Sequence, residues 1–309
     1  YNEELCLPEL FKRLLALRDG AIRDFRVIFV NDGSADRSAA MLSNFADTHS
    51  FASVISFSRN FGHQVAITAG IDYAAADYVA VIDADLQDPP ELISEMMKKA
   101  EEGYDVVYGK RLARSGETFF KRFTAKLFYR LISKMCDVEI PLDAGDFRLM
   151  SNRAASQLRK MRERHRFVRG MVPWVGFRSA FISYDRDARF AGETKYPLRK
   201  MIRFSKDAIF SFSNTPLKVA SFVGFFIVGV GFLGALTMLY IKFGTSRAVP
   251  GITSTLIAIV IMGGIQIIML GVVGEYIGRI FEEVKGRPLY IISETKNINS
   301  ASESCACHR

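Results

Sequence analysis

Two stretches of the chain are long, apolar and free of charged residues. They cover residues 219–241 and 248–274, and each exceeds the roughly 20 residues that a helix needs to cross the hydrocarbon core of a bilayer. A pair of buried core helices is the alternative, but uncharged runs of this length are rare in soluble cores. The short connector KFGTSRAVPG therefore predicts an antiparallel pair of transmembrane helices. Because Lys and Arg are denser outside this hairpin than in the connector, the positive-inside rule places both large ends in the cytoplasm.

Glycine recurs within both apolar stretches, at Gly224, Gly229, Gly231, Gly234, Gly263, Gly264 and Gly271. Small residues let membrane helices approach one another closely. The pattern therefore permits a homo-oligomer that assembles through its transmembrane helices.

Up to residue 115, short apolar runs alternate with amphipathic stretches. The runs predict strands at 25–32, 52–60, 78–85 and 104–111, and the stretches predict helices at 38–48, 64–75 and 90–102. This alternation indicates an α/β fold with a doubly wound, mostly parallel sheet. Four polar residues fall at the predicted carboxyl ends of strands: Asp32, Asp83, Asp85 and Arg111. Ligands bind such sheets beyond the carboxyl ends, so this edge is the candidate site.

Residues 119–135 place phenylalanines at helical spacing beside a basic surface. A basic amphipathic helix of this kind suits the interfacial plane of a bilayer, although an ordinary surface helix has the same pattern. A second basic stretch, 198–216, leads into the first apolar segment. We expect both stretches to lie at the height of the lipid headgroups.

Composition narrows the class of protein further. The 309 residues include 41 basic and 33 acidic ones, for a net charge of +8, and the mean hydropathy is slightly positive. Basic charge beside long apolar segments favours an anionic membrane surface over nucleic acid as the partner. The four cysteines form no CxxC pair, which fits a reduced, cytoplasmic setting. The chain begins at Tyr1 inside a motif, and we expect a further N-terminal strand to precede it.

Four carboxylates gather in the stretch VIDADLQDPPE. Hard cations such as Mg²⁺ and Mn²⁺ prefer oxygen ligands and often bind carboxylates together with substrate phosphates. In an Asp-Ala-Asp turn at a strand end, one carboxylate can hold the metal while the other holds a sugar or ribose. Helix capping is the alternative for the two later acids; it is favoured for Glu91 and left open for Asp88.

Five motifs then carry a resemblance to a family: VNDGSADRS, RNFGHQVAITAGIDYA, DADLQDPPE, GDFRLM and GETKY. In this order they resemble family-two glycosyltransferases, and more narrowly the polyprenyl-phosphate glycosyltransferases that include the bactoprenol glucosyltransferases. The segment GEYIGRIFEEVKGRPLYII after a two-helix hairpin is similar to the bacterial branch of that group. The resemblance implies the A-type nucleotide-sugar transferase fold and a metal-dependent, inverting transfer.

The resemblance also implies roles for individual residues. The implied donor-binding residues are Tyr1, Asn2, Glu3, Asp32 and Asp83. The implied metal ligands, for Mg²⁺ or Mn²⁺, are Asp85 and Gln87. The implied acceptor-phosphate residues are Arg111, Arg122, Arg148, Arg189 and Lys195. Catalysis is expected to depend on Asp146, Asp85 and Asp83. Asp146 would take a proton or hold Arg148 in place, and a salt bridge that only fixes a turn is the structural alternative.

Four parts of the chain follow from this interpretation. Residues 1–115 would bind the nucleotide sugar and 116–217 the acceptor, with interfacial helices. Residues 218–274 would hold the membrane helices, at about 218–241 and 250–274, and 275–309 would form a cytoplasmic C-terminal tail. RNFG is expected to shape a turn. His63 could approach the diphosphate but is no evident base, and Trp174 is expected to be an interfacial or acceptor-facing aromatic.

The expected function is transfer of a hexose from a nucleotide-diphospho-sugar to polyprenyl phosphate in the cytoplasmic membrane. Glucose is the favoured sugar and UDP-glucose the favoured donor, and the product would serve glycosylation of the cell envelope. The alternatives are the same reaction with amino-arabinose, an N-acetylhexosamine or mannose, or a non-catalytic membrane scaffold that retains the fold.

Overall fold

The structure, a computed structural model, describes residues 1–20, 24–111, 144–185, 215–244 and 251–298. Its strands are β1 Val27–Asn31, β2 Ala52–Phe57, β3 Tyr78–Val81, β4 Val106–Arg111, β5 Ala144–Ser151, β6 Ser179–Tyr184 and β7 Ile292–Lys296. Its helices are α1 Leu7–Asp19, α2 Ser38–Thr48, α3 His63–Tyr73, α4 Ile93–Glu101, α5 Asn152–Lys160, α6 Val168–Trp174, α7 Thr215–Gly244 and α8 Ile252–Val284. A 3-10 turn, Pro90–Leu92, precedes α4. The α/β fold class is confirmed.

The strands form two sheets whose pairing is mixed. One sheet has the order β1-β2-β7 and the other β3-β5-β4-β6. β1 pairs with β2 and β4 with β6 in parallel, whereas β5 and β7 run antiparallel to their neighbours. The expectation of a mostly parallel sheet rested on residues 1–115, where β1, β2 and β3 are each followed by a helix. β5 and β7 come later in the chain and enter the sheets in the opposite direction.

Apolar side chains from the helices cover both sheets. β2 is buried along almost its whole length, as its near-continuous apolar run, interrupted only by Ser53 and Ser56, predicts for a strand covered on both faces. α1 and α2 pack Leu10, Leu14 and Phe45 against the first sheet. α5 and α6 pack on the second sheet, and the Ser151 hydroxyl accepts a hydrogen bond from the Ala154 backbone N–H at the start of α5. This packing holds the strands in place, and with them the residues at the carboxyl ends of the strands.

α7 and α8 are long enough and apolar enough to cross a membrane by length and composition. The qualifying segments are Thr215–Gly234, with mean hydropathy 2.0, and Ile261–Val284, with mean hydropathy 1.6. Large apolar side chains on them are exposed, and Phe225 is 81% exposed. A water-soluble domain buries most side chains of this kind, so the exposure supports association with a membrane.

The segment after α8 returns to the α/β domain. β7 pairs antiparallel with β2, with Val54 opposite Lys296. The Asn297 amide donates to the backbone oxygens of Ala46 and Ala52, and the Lys296 ammonium lies 2.6 Å from the Asp47 carboxylate. Within residues 275–309, which were predicted to form a C-terminal tail, Ile292–Lys296 is therefore a strand of the first sheet.

Candidate active site

The turn after β3 carries the Asp-Ala-Asp motif in a strained backbone conformation. Leu86 has a φ of 59°, a left-handed conformation that is unusual for a non-glycine residue. Its side chain is buried in the core formed with α1 and α2, which compensates for the strain. The Asp85 carboxylate accepts a hydrogen bond of 3.2 Å from the Gln87 backbone N–H. The anchored Leu86 thus holds Asp85 and Gln87 together at the carboxyl end of β3.

Asp146, on β5, is the centre of a charged cluster at the same edge. Its carboxylate is only 2% exposed. The Arg169 guanidinium donates from Nε and Nη2 to its two oxygens at 3.0 and 2.8 Å. His63 Nε2 lies 3.0 Å from Oδ2, and Arg148 Nη2 donates to Oδ1 at 3.1 Å. Segments that are far apart in sequence therefore converge on one buried carboxylate.

Arg148 lies inside the domain and is 1% exposed. Besides bonding Asp146, its guanidinium donates to the backbone oxygens of Gly145 and Val168, and it lies 5.7 Å from the centre of the Tyr108 ring. This burial does not match the expected role in binding the acceptor phosphate. The Asp146–Arg148 salt bridge that was the structural alternative is present.

The surroundings shift the pKa values of Asp146, Asp83 and His63, which meet at this edge, in different directions. Burial alone would raise the pKa of Asp146, but hydrogen bonds from His63 and Arg169 and the charges of both arginines hold that pKa far below its ordinary value. Burial raises the pKa of Asp83, and the neighbouring carboxylates add to this, against the opposite effect of His63. Burial would lower the pKa of His63, but its hydrogen bond with Asp146 and the charges of Asp83 and Asp146 raise it overall.

Two sets of side chains are candidates for a metal site. Among the described residues, ligand atoms of His63, Asp83 and Asp146 all lie within 4.8 Å of one another. Asp146 already accepts hydrogen bonds from two guanidinium groups, however, and these would repel a divalent cation placed beside it. Asp85 and Gln87 offer the oxygen donors that Mg²⁺ and Mn²⁺ prefer. The expected pair therefore fits the metal better, and the assignment stays a proposal.

The first residues of the chain are fastened to the loop between β1 and α2. The Asn2 backbone N–H donates to the Ser34 hydroxyl at 3.0 Å, and the Asn2 side-chain oxygen accepts from the Ala35 backbone N–H at 2.9 Å. The Glu3 backbone N–H donates to the Ser38 hydroxyl at 3.0 Å. The structure therefore brings the start of the chain beside the VNDGS motif, and donor binding by Tyr1, Asn2 and Glu3 stays a prediction.

Asp32 shapes the turn that begins α3. Its two carboxylate oxygens accept from the backbone N–H groups of Phe61 and Gly62 at 2.6 and 3.0 Å. Gly33 has a φ of 66°, and a β-carbon there would lie 2.4 Å from the backbone of Arg59. The VNDG and RNFG motifs therefore pack as one unit, which agrees with the turn role expected of RNFG. Binding of the nucleotide base by Asp32 stays a prediction.

The two later carboxylates of the DADLQDPPE motif have structural partners. Asp88 is buried and accepts a hydrogen bond from the Tyr184 hydroxyl on β6. Glu91 forms a two-point ion pair with Arg13 of α1, at 2.7 and 2.5 Å, and no side-chain cap bond is present at the 3-10 turn. Glu91 is also the acidic residue in the first turn of that 3-10 helix, so its role at the helix start stays a prediction, while its ion pair links α1 to the motif. Trp174, at the end of α6, is exposed.

Several predicted site residues cannot be placed. Arg122, Arg189 and Lys195 lie outside the described residues, as do the basic stretch 119–135 and most of 198–216. The backbone of Arg111 ends β4 and pairs with Tyr184 of β6. The acceptor-binding roles of these residues stay predictions.

Sequence reasoning missed two residues of the Asp146 cluster. His63 was assigned to the turn motif, and Arg169 was not considered. The signal for Arg169 is weak, because it is one of four arginines in the segment RERHRFVR that opens α6. A histidine placed directly after a glycine at the start of a helix, in a chain with only four histidines, was the better signal.

The fold and site define an α/β domain with a carboxylate-lined edge, followed by two helices that are apolar enough to cross a membrane. Comparison with known proteins agrees, since residues 1–159 match the family model described as glycosyl transferase family 2. The chain belongs to this family and is a glycosyltransferase.

Curated relatives match almost the whole chain. The uncharacterized glycosyltransferase YkcC of Bacillus subtilis (strain 168) is 50% identical over 300 residues, which are 97% of this chain and 93% of the relative. The SfII prophage-derived bactoprenol glucosyl transferase of Shigella flexneri is 37% identical over 299 residues, 97% of each chain. The prophage bactoprenol glucosyl transferase homolog of Escherichia coli (strain K12) is 37% identical over 296 residues, 96% of this chain and 97% of the relative.

Proposed function

We propose that this glycosyltransferase moves a hexose from a nucleotide-diphospho-sugar to the phosphate of a polyprenyl phosphate. Glucose is the favoured sugar, UDP-glucose the favoured donor, and the cytoplasmic face of the membrane the site of reaction. One observation carries the proposal. The similarity to relatives named as bactoprenol glucosyl transferases spans 97% of the chain, so it includes the two apolar helices as well as the catalytic domain.

The chemistry of the substrates fits the charged edge of the sheets. A phosphate monoester has a second pKa near about 6, so the lipid phosphate is largely dianionic at neutral pH and is already a nucleophile. Direct displacement by this phosphate at the anomeric carbon would invert the configuration there. Both substrates are anions, and the enzyme must therefore orient them and reduce their mutual repulsion.

The carboxylates at the end of β3 would serve the donor. Asp85 and Gln87 would hold a divalent cation, and bound Mg²⁺ or Mn²⁺ would neutralise charge on the donor diphosphate. Asp83, at the end of the same strand, would bind the sugar nucleotide. The exposed apolar helices α7 and α8 would place this edge beside the membrane, where the acceptor phosphate lies.

A transfer assay tests the proposal directly. The full chain, solubilised in detergent, is incubated with undecaprenyl phosphate, Mg²⁺ and a panel of radiolabelled nucleotide sugars, and label that enters the organic phase is counted. We expect transfer from UDP-glucose. We also expect Asp85→Ala to lower the rate by roughly 100- to 1,000-fold, the usual cost of removing one electrostatic contributor. Glu102→Ala is the matched control, since Glu102 is exposed and pairs with Lys99 away from the site.

Other outcomes would change the assignment. Transfer from another donor would keep the reaction class and replace glucose. Metal-dependent binding of a nucleotide sugar with no transfer to any prenyl phosphate would favour the scaffold alternative. An unchanged rate in Asp85→Ala would contradict the proposed metal ligand.

A further inference from the structure

Two partly exposed side chains, an arginine and a histidine, share one buried carboxylate. His63 and Arg169 both bond the same oxygen of Asp146, at 3.0 and 2.8 Å, so their nitrogen atoms lie close together. Arg169 is 33% exposed and His63 is half-exposed, whereas Asp146 is shielded from solvent beneath them. The cluster therefore presents the Arg169 guanidinium and the His63 ring outwards and keeps the carboxylate inside.

The geometry leaves Asp146 badly placed to act as a base. Its Oδ1 accepts hydrogen bonds from Arg148 and Arg169, and its Oδ2 lies within bonding distance of Arg169 and His63. A general base must come within hydrogen-bonding reach of the proton that it removes. Here the arginine donors and His63 occupy the approaches to both oxygens. The low pKa of Asp146 points in the same direction.

The two exposed groups lie next to the donor end of the site. His63 Nε2 is 3.6 Å from the carboxylate of Asp83, at the end of β3. The proposed substrates bring a diphosphate and a monophosphate to this edge. Arg169 bonds Asp146 through Nε and Nη2, which holds the guanidinium rigid. Its other edge, at Nη1 and Nη2, is a second planar fork of donors whose geometry matches phosphate oxygens.

We propose that Arg169 and His63 bind a phosphate group of the substrates, and that Asp146 is a positioning residue that holds them rather than a base. This inference rests on the proposed function, which supplies the phosphates. The shared chemistry is a phosphate oxyanion, which either the acceptor monophosphate or the donor diphosphate provides. Arg148 is the buried support of the cluster and does not contact the ligand.

The test measures binding without chemistry. Full-length protein in detergent is titrated with a short-chain polyprenyl phosphate in the absence of donor, and separately with UDP-glucose and Mg²⁺ in the absence of acceptor. The variants are Arg169→Gln, His63→Gln and Asp146→Asn. Arg162→Gln is the matched control, because Arg162 is also a partly exposed arginine paired with a buried aspartate, Asp72.

We expect Arg169→Gln to weaken the affinity for one of the two phosphate ligands by roughly 10- to 100-fold, the usual cost of a hydrogen bond to a charged group. His63→Gln should weaken the same ligand by a smaller factor, and Arg162→Gln should leave both affinities unchanged. Arg169→Lys keeps the charge and should recover part of the affinity. The weakened ligand, acceptor or donor, identifies the source of the phosphate.

The affinity of Asp146→Asn for the phosphate ligands distinguishes the two possible roles of Asp146. If Asp146 holds Arg169 and His63 in place, replacing it with Asn should weaken phosphate binding as much as Arg169→Gln does. If it is a base beside the dianion, removal of its negative charge should leave the affinity unchanged or increase it. Arg169→Gln and His63→Gln leave the Asp146–Arg148 pair intact, so they test the phosphate site even if Asp146→Asn fails to fold.

Three results would overturn the inference. The first is unchanged affinity for both ligands in Arg169→Gln. The second is unchanged or tighter binding of both phosphate ligands in folded Asp146→Asn. The third is weaker binding of Mn²⁺ by His63→Gln, which would make His63 a metal ligand. The wild-type transfer assay separates these results from a failure of the proposed function, which would appear as no sugar transfer to polyprenyl phosphate by the unmodified protein.

Discussion

Two buried aspartates lie near opposite ends of α3 and have different surroundings. Asp146 meets His63, the first residue of the helix, and Asp72 belongs to its last turn, roughly 14 Å further along at 1.5 Å per residue. Asp72 accepts hydrogen bonds at 2.8 to 2.9 Å from Arg162 and from the Tyr290 hydroxyl. Among the described residues, Asp72 is thus bonded to one arginine and a tyrosine, whereas Asp146 is bonded to two arginines and a histidine.

The partners show what each carboxylate does. Asp72 joins α3 to Tyr290, which leads into β7, and so fastens the chain that returns from α8 to the catalytic domain. Asp146 joins Arg169 and His63, which lie beside the Asp-Ala-Asp turn and remain partly exposed. A buried ion pair alone therefore does not reveal function or large stabilisation. The position of its exposed partner relative to the ends of the strands distinguishes the two sites.

The largest differences between the two sites should appear when the negative charge of Asp146 or of Asp72 is removed. We expect Asp146→Asn to lower sugar transfer by roughly 100-fold or more. It should also lower the free energy of unfolding by about 3–5 kcal/mol, because Arg148 stays buried without its carboxylate. Asp72→Asn should cost only about 1–2 kcal/mol, because Arg162 is 37% exposed and water can solvate it.

Initial transfer rates, corrected for the folded fraction, and denaturant unfolding in micelles measure both effects. Asp72→Asn should keep a corrected rate close to that of the unmodified protein. A loss of corrected activity in Asp72→Asn as large as in Asp146→Asn would show that the two carboxylates do not differ in function.

A smaller effect should come from the tyrosine partner of Asp72. Tyr290→Phe removes one hydroxyl and keeps the ring stacked on Phe57, so we expect a loss of about 1 kcal/mol in the free energy of unfolding. Hydrogen exchange should become faster at the β7 amides, while sugar transfer stays unchanged. Unaltered exchange at β7 would show that this hydrogen bond does not fasten the returning strand.

The smallest effect should be a dependence on pH at the Asp146 end. The fold raises the pKa of His63 above its ordinary 6.5, so the protonated form is favoured in the folded state. The stabilisation is therefore fully present below pH 6.5 and is lost as the pH rises through the folded-state pKa. Solvent screens this half-exposed group, so the difference in unfolding free energy between the unmodified protein and His63→Gln should stay under about 1 kcal/mol.

The Asp72 end supplies the control for this titration. Burial would lower the pKa of Arg162, but its bond to Asp72 raises it, and burial and Asp72 together raise the pKa of Tyr290. Both donors therefore stay protonated between pH 6 and about 9. The cost of Asp72→Asn should be constant over this range, whereas the cost of His63→Gln should shrink as the pH rises. A constant cost for His63→Gln would contradict the raised pKa.

Prediction from sequence succeeded where the signal was local. The bounds of α2 match the predicted 38–48, and α3 and α4 begin within a few residues of expectation. The two apolar segments are helices, although α8 continues ten residues beyond the predicted end, through Val284. The charged segment EYIGRIFEEV continues the helix although it is not apolar, so hydropathy alone could not mark the end of α8. Long-range pairing was predicted less well, since the antiparallel entry of β5 and β7 has no local pattern.

The sequence by itself determined the alternation of strands and helices, the two apolar helices and the carboxylates at the end of β3, because each follows from the order of residues within one segment. Only the tertiary structure decided that His63 and Arg169 meet Asp146, that Arg148 is buried, and that β7 returns to β2. These contacts join residues that are distant along the chain. A carboxylate that is taken out of water must be hydrogen-bonded. The packing of the sheets and helices decides which donors lie near it, and therefore which residues become its partners.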